Sequence, residues 1–74
     1  MAHFQVGKHY ININESVNSI FINGEFAGSF WVSNKMSGMY SATSSAISKT
    51  QSFRAKHDAE NWIIQQYIKS EENA

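Results

Sequence analysis

The dipeptide Asn23-Gly24 sits between two apolar runs, Ile20-Phe21-Ile22 and Phe26-Ala27. This arrangement commits the middle of the chain to a tight β-hairpin, because a type I′ turn needs positive φ at both central residues, and Asn and Gly tolerate it best. A two-residue turn also sets the strand register. It predicts Ile22 opposite Glu25, Phe21 opposite Phe26, Ile20 opposite Ala27 and Val17 opposite Phe30. One face then carries Val17, Phe21, Phe26, Phe30 and Val32, and is read as the core. The other carries Ile20, Ile22, Glu25, Ala27, Ser29 and Trp31, which is more apolar than a solvated face requires.

On either side of the hairpin the chain alternates in the manner of further strands. Phe4 and Val6 share one parity, and His9, Ile11 and Ile13 share the other. The switch falls at Gly7, read as a bulge that returns the apolar set to one face. Asn14-Glu15-Ser16 reads as a turn and Asn34 to Gly38 as a loop. The Ser-, Thr- and Ala-rich stretch from Met39 to Ser52 reads as a last, edge strand with weakly specified register, with a Ser/Thr-rich loop as the alternative for part of it. Near the C-terminus, Ala55, Ala59, Trp62, Ile63 and Gln66 fall on one helical face, and Ile64, Tyr67 and Ile68 widen the apolar arc. The expectation is one domain with strands over about 3–13, 17–22, 25–33 and 39–52, a helix over about 55–69, and a frayed tail at 70–74. The fold class is α+β: an antiparallel sheet of three to four strands with one C-terminal helix packed on one face.

A chain of 74 residues lies near the lower size limit for independent folding. It has no cysteine, so neither a disulfide nor a thiolate–zinc site braces it; its high aromatic content, 14%, must supply much of the core. Six basic and six acidic residues cancel, which removes the field that drives nonspecific binding to phosphate backbones. No run reaches membrane-spanning length and the first residues do not read as a signal peptide, so a cytoplasmic protein is expected. His3, His9 and His57 lack metal-ligand spacing, no serine sits in a glycine-flanked elbow, and Gly24 and Gly28 precede no helix that would cradle phosphate. No enzyme is expected, with no catalytic, cofactor or metal residues.

The segment Phe53-Arg54-Ala55-Lys56-His57-Asp58-Ala59-Glu60-Asn61-Trp62 ends a strand on an aromatic and starts a helix with Ala and Trp on its buried face. It resembles the strand–helix joint of the arm-type DNA-binding domains of phage integrases, which have an AP2-like fold. That resemblance implies a sheet that enters the DNA major groove, backed by the helix. Ala55 stands where that family has a Ser or Thr cap, which leaves the capping contact missing or shifted to Ser52.

Two functions follow from these features. The first is a small non-enzymatic module that binds another protein and associates with itself, as a homodimer. By analogy of size alone, such a module resembles the small regulators and inhibitors carried by phages and other mobile elements. Its contact residues are Ile20, Ile22 and Trp31 on the sheet and Ile64 and Ile68 on the helix. The second is a nucleic-acid-binding module using the open sheet face and the basic Lys49–Lys56 segment, with Lys35, Lys49, Arg54 and Lys56 converging on phosphate near the joint.

Overall fold

A computed structural model describes residues 2–73 and contains one antiparallel sheet with a single helix laid on one face. The sheet has six strands, two more than the upper expectation: β1 (Ala2–Val6), β2 (His9–Asn14), β3 (Ser19–Ile22), β4 (Glu25–Asn34), β5 (Met39–Ser44) and β6 (Lys49–Phe53). They lie side by side in chain order, and α1 (Lys56–Glu72) follows. The α+β two-layer class is as expected. The strand count differs because two segments read as single strands are each a hairpin.

Both extra hairpins turn on residues with positive φ. Gly7 (φ +59°) is not a bulge but half of the two-residue turn joining β1 to β2. Ser48 (φ +52°) closes the four-residue turn joining β5 to β6. Two other four-residue turns, 15–18 and 35–38, also end on left-handed residues, Asn18 (φ +50°) and Gly38 (φ +72°). In both, the preceding asparagine folds its side chain over the turn. Asn14 Oδ1 accepts from the Ser16 N–H at 3.1 Å, and Asn34 Oδ1 accepts from Met36 at 3.0 Å and Ser37 at 3.3 Å.

The central hairpin turns on Asn23 (φ +54°) and Gly24 (φ +83°), with Ile22 opposite Glu25 and Phe21 opposite Phe26 as expected. Asn23 also ties in the next strand. Its N–H donates to the Tyr10 carbonyl, its Oδ1 accepts from the Tyr10 N–H at 2.9 Å, and its amide lies 3.2 Å from His9 Nδ1.

One step beyond Phe26 the register slips. Ile20 pairs with Gly28 rather than Ala27, so Ala27 is an extra residue in β4 and the strand changes parity there. This bulge corrects the assignment of faces. Ile20, Ile22 and Phe30 share the face under the helix, and Phe21, Phe26 and Trp31 share the other. Ile20 and Ile22 are fully buried, whereas Phe26 is 47% exposed. Val17 lies in a turn, is exposed and has no partner in β4.

The helix runs over β3 to β6, and the core forms between it and the sheet. Ile11, Ile13, Ile20 and Ile22 from the sheet meet Ala59, Ile63, Ile64 and Tyr67 from the helix, with Phe30 and Ala42 beside them. Burying each such isoleucine contributes about 1.5–3 kcal/mol. Phe53 and Trp62 pack together at the strand–helix joint, with ring centroids 5.7 Å apart. The helix begins at Lys56, and Ala55 at the cap position before it makes no side-chain capping bond. It continues through Glu72, past the expected end, so 70–72 of the predicted frayed tail are helical, and Ala74 lies outside the described residues.

Helix and sheet meet most closely at Gly28. A Cβ there would stand 2.3 Å from the Thr43 carbonyl oxygen and 2.8 Å from Ile63 Cγ2. The first neighbour is backbone and cannot swing aside. Gly28→Ala is therefore expected to lower unfolding stability by about 2 kcal/mol or more, measured by urea denaturation. An unchanged midpoint would contradict the close approach.

Candidate interaction surface

The face of the sheet turned away from the helix is built by strand register. One row runs His3, Asn12, Phe21, Phe26 across β1 to β4. The next runs Asn14, Ser19, Ser29, Thr43, Thr50 across β2 to β6. A third runs Trp31, Ser41, Ser52 across β4 to β6. Gln5 pairs with Tyr10 beyond the first row. Phe21 and Phe26 meet edge to face with centroids 5.9 Å apart, a favoured aromatic geometry. Thr43 and Thr50 share a 2.8 Å hydrogen bond between their hydroxyls.

Among the described residues, no Lys, Arg, Asp or Glu stands in these rows. The charged residues lie in turns, at Arg54 in the β6–α1 joint, on the helix, or at Glu25 and Lys49, which pair with the helix-side residues Ile22 and Ser44. The open face is therefore aromatic and hydroxyl- or amide-bearing, without formal charge. Tyr10 is 67% exposed and Trp31 40%, so aromatic surface is presented to solvent.

The residues expected to make contacts separate on this framework. Trp31 is on the open face as anticipated. Ile20, Ile22 and Ile64 are in the core, and Ile68 is half-buried against it, so these four form no exposed apolar patch. The displaced register in β4 is the physical reason for the sheet pair. For the helix, a six-stranded sheet is broad enough to cover more of the apolar arc than three or four strands would. Phe21, Phe26 and Tyr10 were not singled out as contact residues. The isolated Gly28 within a strand pattern was the available signal of a bulge that turns Phe21 and Phe26 outward.

The four basic residues do not converge. Lys49 opens β6 at one end of the sheet, whereas Lys35, Arg54 and Lys56 lie at the other. Lys56 is ion-paired with Glu15 in the β2–β3 turn, and its ammonium lies 5.8 Å from the centroid of the Phe30 ring. The hydrogen bond from Lys56 holds the Glu15 carboxyl below its usual range, and the same bond raises the Lys56 ammonium.

At the opposite end, Tyr67 packs edge-on to His9, with centroids 6.3 Å apart. Burial raises the Tyr67 hydroxyl, and the Glu25 and Glu71 carboxylates disfavour its phenolate further. Nearby, Lys8, His9, Glu71 and Glu72 line a shallow hollow of about 180 Å³, smaller than the roughly 300–1,000 Å³ of small-molecule sites. Among the described residues, no group of three or more His, Asp or Glu side chains is placed to hold a metal ion. No described helix is long and apolar enough to cross a membrane.

The Glu15–Lys56 pair has a defined pH signature. Glu15 has a lower pKa folded than unfolded, so its contribution is in place above the unfolded value near 4.5 and is lost as pH falls through the folded value. NMR titration should place the Glu15 midpoint below that value and return it to the ordinary range in Lys56→Met. Identical midpoints in the two proteins would contradict the pairing.

No family model matches the chain, and no match was found among curated proteins or solved structures.

Proposed function

We propose that this chain is a small non-enzymatic binding module that works by docking its open sheet face on a protein surface, its own included. The observation that carries the reading is the uncharged open face, with Tyr10, Phe26 and Trp31 exposed among Ser, Thr and Asn side chains. Tyr and Trp offer large, rigid contact area at low entropic cost, and small hydroxyl and amide groups supply adaptable hydrogen bonds. Antibody combining sites use the same mixture. A regulator or inhibitor of the type carried by mobile elements is the biological setting this chemistry suits.

The alternative is a nucleic-acid-binding module. It draws support from the aromatic side chains, which suit base stacking, and from the integrase-like joint at Phe53–Trp62. It draws less from charge: the open face has no Lys or Arg to meet phosphate, and Lys56 is already paired with Glu15.

The two readings part on salt and on one double substitution. The immobilised chain is expected to retain a protein from a lysate of its source cells, and to keep it at high salt because the contact is largely uncharged. Phe26→Ala combined with Trp31→Ala should release that protein while circular dichroism reports an intact fold. Equal retention by the double variant would exclude the open face as the contact. Nucleic acid held at low salt and shed steeply as salt rises would favour the alternative.

A further inference from the structure

We propose that the partner of the open face is a second copy of this chain, packed sheet against sheet in a helix–sheet–sheet–helix dimer about a two-fold axis running along the strands. This rests on the reading of that face as a contact surface and names what docks there.

The first argument is the way polarity is graded across the sheet. Strand order puts β3 and β4 at the centre, and these carry Phe21, Phe26 and Trp31, with the small Ser19 and Ser29 between them. The flanking strands carry Tyr10 on β2 and Ser41 and Thr43 on β5. The outer strands, β1 and β6, present His3, Gln5, Thr50 and Ser52. An aromatic centre inside a polar rim is the anatomy of a protein interface.

A second argument comes from symmetry. An axis along the strands between β3 and β4 sets β3 over the partner's β4, and β2 over the partner's β5. Phe21 and Phe26, opposite one another in the register, then meet the partner's Phe26 and Phe21. Tyr10, at the end of β2 level with the Asn23-Gly24 turn, lies over the partner's β5–β6 turn, and the contact is repeated by the two-fold. Aligned packing of two twisted sheets uses such an arrangement.

Charge and size agree with it. A face with no formal charge meets its own copy without like-charge repulsion and has no electrostatic preference for an acidic or basic partner. The molecule measures 38 × 25 × 17 Å, and the thin direction suits its two layers. The two longer extents, 38 and 25 Å, bound a footprint comparable to the roughly 800 Å² that each partner gives to a standard stable interface.

Sedimentation velocity on the full chain, from low to several hundred micromolar, tests the proposal. The wild type is expected to form a dimer. Tyr10→Arg and Trp31→Arg each put a charge from both copies into the contact and should weaken dimerisation at least about tenfold. Lys69→Glu, on the exposed side of the helix, should leave it unchanged. Tyr10 is 67% exposed, so its replacement preserves the fold even if that of Trp31 does not, and circular dichroism checks both. A wild type that stays monomeric throughout overturns the dimer while leaving docking on a different protein open to the lysate test. A dimer that persists at full strength in folded Tyr10→Arg also overturns it and moves the contact elsewhere, for instance to the unpaired edge of β1. If the open-face substitutions alter neither self-association nor retention of another protein, the contact-surface reading itself falls.

Discussion

The missing side chain at Gly28 lets the helix lie close on the sheet. Ile63 fills the space that a Cβ would take, and the Thr43 carbonyl closes it from the neighbouring strand. A larger residue would have to move either the helix or the β4–β5 pairing. Interiors packed at crystal-like density do not absorb such a shift cheaply. The burial of Ile63 and Ile64, and through them the position of α1 over β3 to β6, depends on this approach.

Beside Gly28, the bulge at Ala27 decides which apolar residues are core and which are surface. With unbroken alternation, Ile20 and Ile22 would share a face with Trp31, and Phe21 and Phe26 a face with Phe30. One extra residue exchanges the partners. β-branched isoleucines and one phenylalanine go under the helix, and two phenylalanines and a tryptophan go out. Isoleucine is well suited to the covered side, where stiff side chains interlock with a helix. The aromatic residues left outside keep part of their area in contact with one another, as Phe21 and Phe26 do.

The sequence made the architecture readable in outline and the faces only in part. The Asn23-Gly24 turn, the first two pairs beside it, the α+β class and the C-terminal helix all followed from local chemistry. Two hairpins stayed hidden because Gly7-Lys8 and Ser45 to Ser48 are weaker turn signals than Asn-Gly. Their positive-φ residues matter only once the neighbouring strands compete for partners. The faces were misassigned because a bulge in the middle of a strand is a tertiary solution: Gly28 marks it, but what selects it is the helix above. The basic residues illustrate the same limit. Lys49 and Lys56 are near in sequence, yet β6 carries them to opposite ends of the sheet, and Lys56 finds Glu15 across the fold.

The central claim is that the β4 bulge directs Ile20 and Ile22 inward against α1. The most direct test is solvent paramagnetic broadening of assigned isoleucine methyl signals. The account predicts that Ile20, Ile22, Ile63 and Ile64 stay sharp, while Ile47, 39% exposed in the β5–β6 turn, broadens. Self-association through the open face would not alter that contrast, because these four isoleucines lie on the helix side. Broadening of Ile20 and Ile22 to the level of Ile47 would contradict the register, the position of the bulge and the account of both faces.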